Sequence, residues 1–290
     1  MASIRTGVAL TAVLGAAVSG CGESSSSSDP PPADRPERIV SLSPSATETL
    51  FAVGAGEQVV AVDSESDHPA AVPRTELSAY EPNVEAIAGY RPDLVVVPAD
   101  VPRDALAGLR KLRLEVLPQP VPDDLEQAYE QMRALGEATG HRDAGERLAR
   151  DVRAQVEAAI AAAPRGEGLA VFHELDPDLY SASSETFIGR IYARLGLRNV
   201  ADRAAERSGA PYPQLSAEAV VRADPDLIVL ADSECCGQTP AKVGRRAGWD
   251  RVAAVREQAV VAVDDDVASR WGPRIPELVE RVAAAMEAAG

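Results

Sequence analysis

Between residues 38 and 117 the chain alternates short apolar runs with segments of helical spacing. The runs at 38–43, 59–62, 94–97 and 114–117 are brief and rich in Val, Ile and Leu. That is the pattern of strands buried on both faces of a parallel sheet. Helices are predicted between them at 45–52, around 84–88 and at 105–112. Ser45-Ala46-Thr47-Glu48 has the form of a capping box opening the first of these. The strand pattern then stops. Residues 123–138 read as one helix closed by Thr139-Gly140, and 142–163 as another, rich in Ala, Arg and Glu. The second has no internal proline and no glycine beyond its first turn. At about 1.5 Å per residue it is on the order of 30 Å long, a rigid strut. Beyond Pro164-Arg165-Gly166 the alternation restarts. Strands are predicted at 169–172, 227–230 and 260–263, helices at 186–195 and 275–289, and loops at 173–184, 232–238 and 270–273.

One stretch is written twice. Asn83-Val84-Glu85-Ala86-Ile87 followed by Pro92-Asp93-Leu94-Val95-Val96-Val97 returns, at a constant offset, as Ser216-Ala217-Glu218-Ala219-Val220 followed by Pro225-Asp226-Leu227-Ile228-Val229-Leu230. Each copy reads as a cap, a short helix with an early glutamate, a Pro-Asp turn and a buried strand. The expected fold is therefore α/β, with two Rossmann-like lobes of parallel sheet joined by one long rigid helix and a ligand cleft between them. The predicted divisions are an N-terminal lobe at 37–140, a backbone helix at 141–164 and a C-terminal lobe at 165–290. Ligands of such sheets sit beyond the carboxyl ends of the strands. Here those ends deliver Ser43-Pro44-Ser45, residues 63–68, 98–102 and 232–238.

The first 20 residues have one early arginine, Arg5, and then an apolar run from 8 to 18, the pattern of a signal peptide. The run ends Val18-Ser19-Gly20-Cys21, which resembles a bacterial lipobox, whose cysteine carries lipid. An ordinary cleaved secretory signal is the alternative. Residues 21–36, with five serines and three prolines between 22 and 32, are expected to be a tether. An extracytoplasmic, lipid-anchored body follows from this reading.

Composition narrows the function. The formal charge is −16, from 29 Lys plus Arg against 45 Asp plus Glu. Nucleic acid and anionic lipid need a basic footprint, so neither is expected as the main partner. Three histidines, His68, His141 and His173, are too scattered for a bare metal site, and none is expected. Three cysteines are too few for a disulfide framework. Cys235-Cys236 are compatible with either a vicinal disulfide or free thiols. No nucleophile elbow or phosphate-binding glycine loop is present, and no enzyme activity or resident cofactor is expected. His173-Glu174 with Ser181, Ser183 and Ser184 are the only residues that read as hydrolytic parts.

Taken together, the residues from Arg38 onward resemble the helical-backbone (class III) substrate-binding proteins of bacterial ABC importers, the cobalamin and iron-complex binders in particular. The resemblance is carried by Arg38-Ile39-Val40-Ser41-Leu42-Ser43-Pro44-Ser45-Ala46-Thr47-Glu48, the doubled unit, the long helix and Arg270-Trp271-Gly272-Pro273-Arg274. It implies a monomeric carrier of a metal complex, cobalamin first and a ferric siderophore or haem second, delivered to a permease and its ATPase. It also implies that Glu85 and Glu218 dock on permease arginines. Read from the residues alone, the alternative is that each carboxylate is simply a favourable charge in a first helical turn. The candidate ligand residues are Pro44, Ser45, His68, Tyr80, Tyr180, Tyr212, Arg270 and Trp271, placed at strand ends or just before the repeated helices. In a chain with only 4% aromatics, rings in such loops suit the apolar faces of a flat macrocycle. Tyr80 and Tyr212 are expected on opposite walls. His68 is a candidate metal ligand or simply a solvated loop residue.

Overall fold

The computed structural model describes residues 35–289. The signal segment, Cys21 and the tether as far as residue 34 lie outside the described residues. The end of the predicted tether is packed: Gln58 donates its amide to the Pro36 carbonyl.

The N-terminal half runs β1 (Ile39–Ser41), α1 (Pro44–Ala52), β2 (Val59–Val62), α2 (Val84–Gly89), β3 (Leu94–Pro98), α3 (Arg103–Lys111) and β4 (Glu115–Gln119). The four strands form one parallel sheet in the order β2-β1-β3-β4. Alternate residues feed opposite faces, as strand geometry requires. Ile39, Leu94 and Val96 pack with Leu50 of α1 on one side, while Val40, Val95 and Val97 pack with Ile87 of α2 and Leu109 of α3 on the other.

Two helices follow, α4 (Leu125–Ala138) and α5 (Arg142–Ala162). The sequence assigns only the second to the backbone between lobes, but α4 shares that role. Its apolar stripe begins with Leu125, Ala128, Tyr129 and Met132 in the core of the C-terminal half and ends with Leu135 in the core of the N-terminal half. The strut is thus an antiparallel pair. A Cβ on Gly136 would come within 2.8 Å of the Gly145 Cα, so the two backbones touch where the hairpin closes.

The C-terminal half runs β5 (Ala170–Glu174), α6 (Phe187–Arg194), β6 (Arg198–Asn199), α7 (Asp202–Ser208), α8 (Ala217–Ala223), β7 (Leu227–Leu230), α9 (Pro240–Val243), α10 (Ala253–Arg256), β8 (Val260–Ala262), α11 (Asp265–Ser269) and α12 (Ile275–Ala289). Its sheet order, β6-β5-β7-β8, repeats the first, and all pairs are parallel. The short helices α7, α9, α10 and α11 are not foreseen in the sequence. They are too brief to show a helical period.

The duplication extends to the hydrogen bonds. The Asp93 carboxylate accepts from the Glu37 and Arg38 amides at 2.8 and 3.0 Å, and the Asp226 carboxylate accepts from the Ala170 amide at 2.8 Å. In both halves the Pro-Asp turn therefore pins the start of the first strand to the start of the third. Arg91 and Asp224, one residue before each proline, both adopt left-handed φ, +50° and +45°. The same strain recurs at matching places, and the carboxylate bond offsets it locally.

Candidate functional site

The carboxyl ends of β1 to β4 surround a cavity of about 390 Å³. Leu42 to Pro44 follow β1, Asp63 and Glu65 follow β2, Pro98 to Asp100 close β3, and Gln119 ends β4. Ala79, Tyr80, Pro102 and Val121 complete the wall from this half, and Trp271 reaches in from the other. Tyr80 is 80% exposed, so its ring stands at the mouth.

Of the eight candidate ligand residues, the cavity gathers Pro44, Tyr80 and Trp271. Ser45 lies beneath it, buried, and accepts the Trp271 amide at 3.3 Å. His68 is exposed on the loop outside the lining, beside a cis peptide to Pro69. Tyr180 and Tyr212 are each 41% exposed on the C-terminal half, also outside it. There the segment at 211–214 runs antiparallel to 180–183, with Tyr180 bridged to Gln214. Of the aromatic candidates, Tyr80 and Trp271 line the cavity together.

Arg270 differs most from expectation. Its guanidinium donates to Glu48 at 3.0 Å, to Asp67 at 3.2 Å and to the Glu65 carbonyl at 2.7 Å, and it pairs with Asp266 at 2.6 Å. Arg274 donates to both oxygens of the same Glu48, at 3.0 and 2.5 Å. Glu48 is the hub of a nearly dry bridge between the halves, its side chain 2% exposed. The capping-box reading of Glu48 is corrected accordingly. Pro44 occupies the first helical position and Ser43 is the N-cap, without a side-chain bond. Glu48 then falls beyond the turn from which it could reach back, and its carboxylate turns to the arginines. Burial pushes the Asp266 carboxyl up to about 6, partly offset by Arg270.

Beneath the cavity lies a buried polar knot. Ser66 donates to Asp63 at 2.5 Å, and Thr47 contacts the hydroxyls of Ser66 and Ser41 at 2.9 and 2.8 Å. Burial raises the Asp63 carboxyl to about 6 against the pull of the Ser66 hydrogen bond. The strand ends of the C-terminal half carry a second acidic knot. Glu174 is fully buried and held two-handed by Arg246, at 2.6 and 2.5 Å. The Asp232 carboxylate is buried without a hydrogen-bond partner among the described residues, and burial next to Glu174 lifts it to about 7. The loop above it, 232–238, carries Cys235 and Cys236 joined by a disulfide. It is tied down by Asp265, which accepts from the Glu234 and Cys235 amides at 3.0 and 2.8 Å.

The residues that read as hydrolytic parts have other partners. His173 belongs to β5 and not to the predicted loop. It is fully buried, 2.6 Å from the Tyr192 hydroxyl, and burial holds its imidazole down to about 4. Ser184 donates to Asp202 at 2.9 Å. Glu85 and Glu218 occupy equivalent exposed positions in the first turns of α2 and α8, capped by Asn83 and Ser216. Its own amide and the Ser216 hydroxyl hold the Glu218 carboxyl below the usual range.

The sheets, the strut and the cleft-facing cavity can be set against known proteins. Residues 39–267 match the family described as periplasmic binding protein. The chain belongs to that family. A cobalamin-binding protein from Halobacterium salinarum is 32% identical over 256 residues, covering 86% of this chain and 69% of that one. An uncharacterised ABC transporter substrate-binding lipoprotein, YvrC of Bacillus subtilis, is 30% identical over 257 residues, 86% and 79% of the two chains. Among solved structures, the periplasmic haem-binding protein RhuT from Roseiflexus sp. RS-1 superposes with a TM-score of 0.77 at 28% identity, over 88% of this chain and 99% of that one. This periplasmic binding protein is thus a substrate-binding protein of the ABC transporter kind, with the class III fold. Among its described residues no helix is long and apolar enough to cross a membrane.

Proposed function

We infer that the protein captures a cobalt corrinoid, cobalamin or a near relative, and hands it to the permease of an ABC importer. The observation that carries this reading is the chemistry of the cavity wall. Tyr80, Trp271, Pro44, Pro98, Pro102 and Val121 offer apolar faces to a flat ring, while Asp63, Glu65, Asp100 and Gln119 offer hydrogen-bond acceptors. A corrin has apolar faces and a rim of amide donors. Haem and ferric siderophores bring anionic groups, and no lysine, arginine or histidine lines the cavity. Arg270, the cation expected to receive such groups, is occupied by three carboxylates.

Haem is the second reading, favoured by the likeness to the haem-binding protein and by the exposed phenol of Tyr80, a group able to ligate ferric iron. Glu85 and Glu218 are the proposed permease contacts. Both carboxylates are exposed in the first turns of equivalent helices, one in each half, which suits a partner that grips both halves. Lipid attached at Cys21 would hold the protein at the membrane beside its permease and ATPase.

Calorimetric titration of the purified protein with cyanocobalamin, hemin and a ferric siderophore in parallel tests the reading. Saturable cyanocobalamin binding below about 10 μM, near −7 kcal/mol, supports it. Hemin binding at that level without cyanocobalamin binding would replace it with the second reading.

A further inference from the structure

Asp63, Glu65 and Asp100 border the cavity, and none of the three forms an ion pair among the described residues. This sets them apart from the acidic groups a few residues away. Glu48, Asp67 and Asp266 all pair with Arg270 or Arg274. Arg270, which reaches this rim from the other half, meets Glu65 only through its backbone carbonyl, and no ion pair joins it to that carboxylate among the described residues. Asp63 is buried, while Glu65 and Asp100 are exposed to whatever enters. The wall therefore presents uncompensated negative charge toward the ligand's edge.

Resting on the corrinoid reading above, we propose that Glu65 and Asp100 act as an electrostatic filter on the rim of the ligand. They accept hydrogen bonds from side-chain amides and repel macrocycles whose rim carries carboxylates. Two like charges roughly 6 to 8 Å apart at an effective dielectric of about 20 alter affinity by about four- to tenfold after physiological salt. A hydrophobic slot alone cannot make this distinction, because amide-rimmed and acid-rimmed rings have the same faces. Rejection by unpaired like charge is how a site separates ligands of equal shape.

The test uses two corrins that share one ring and differ at the rim: dicyanocobinamide, with amides, and dicyanocobyrinic acid, with carboxylates. Hemin, with two carboxylates, runs alongside. Binding to the wild type and to the E65Q/D100N double variant is measured by calorimetry at 0.15 M NaCl. The wild type should prefer the amide-rimmed corrin by up to about a hundredfold, and the preference should shrink at 1 M NaCl. In the variant, dicyanocobyrinic acid should bind about four- to tenfold tighter for each charge removed, hemin should also gain, and dicyanocobinamide should weaken a few-fold. Affinities for all three that move in the same direction, or an unchanged affinity for both acidic rings, would overturn the filter. If the wild type binds neither corrin, the corrinoid reading falls. The hemin arm then still decides whether the carboxylates repel an acidic rim.

Discussion

Replacing Glu48 by glutamine should loosen the contact between the two halves more than any other single neutral substitution. The side chain is 2% exposed and accepts three hydrogen bonds from two guanidiniums, themselves 10% and 15% exposed. Glutamine keeps the shape but offers one acceptor and turns an amide toward the arginines. Breaking a buried ion pair by neutralising one partner costs about 3–5 kcal/mol. Part of that is recovered here. Arg270 keeps Asp266 at 2.6 Å and Asp67 at 3.2 Å, and Arg274 retains Asp264 at 3.8 Å. A loss of about 2–3 kcal/mol is expected. For a chain of this size that lowers Tm by roughly 4–12 °C. Thermal unfolding followed by circular dichroism gives the shift, and a double-mutant cycle with Arg274→Met isolates the pair. Because α1 and the 270–274 segment are joined through this cluster as well as through α4 and α5, the radius of gyration in solution scattering should also rise. A loss below about 1 kcal/mol with no coupling would show that the strut alone sets the geometry.

Three further outcomes follow from the same coordinates. Tyr80→Ala should weaken cyanocobalamin binding by about tenfold, the worth of one aromatic contact, without lowering Tm, because the ring is 80% exposed; equal loss of stability would contradict the placement. Replacing both Glu85 and Glu218 by alanine should abolish uptake in cells while leaving ligand affinity intact, and normal uptake would remove them as permease contacts. Asp63 and Asp266 near 6 and Asp232 near 7 sit above their unfolded value, so the native protein holds protons that the unfolded chain releases. Their contribution is complete below about pH 4 and is lost as pH rises through 6 to 7, so Tm should fall between pH 5.5 and 8. Asp232→Asn should flatten the upper part of that fall, and a superimposable profile would refute the assignment. His173, held near 4, acts in the opposite sense between about pH 4 and 6.5, so it offsets part of the fall at the lower end of that window.

The fold was legible because its strands are buried on both faces and its key unit is duplicated. Leu94 to Val97 and Leu227 to Leu230 announce themselves by continuous apolar character, and the Pro-Asp pairs mark their entry. The helix α4 is legible in the sequence, but its place in the strut is not, for a simple reason. The stripe Leu125, Ala128, Tyr129, Met132 and Leu135 has helical spacing, but nothing in it says which half each residue will meet. The apolar run that marks β5 stops before His173, because a polar pair ends this buried strand, so the strand's last two residues are not legible in the sequence.

The site was legible in its loops and less so in its chemistry. Strand-end geometry singled out 63–68 and 98–102, and both border the cavity. It could not foresee that Arg270 would be held by Glu48, because the two are distant in sequence and both fit simpler local roles. It also could not place Tyr180 and Tyr212, whose loops lie at matching points of the duplicated chain yet contribute no lining. Equivalent positions in two similar halves need not face the same ligand once their loops differ in path.

The central claim is that a corrin ring lies in the cavity at the carboxyl ends of β1 to β4, between Tyr80 and Trp271. A crystal structure of the protein grown with cyanocobalamin tests it most directly. The account predicts the ring within van der Waals contact of both aromatics, with rim amides hydrogen-bonded to Glu65 or Asp100. Cyanocobalamin bound elsewhere, or a cavity that admits only a carboxylate-rimmed macrocycle under the same conditions, would contradict it.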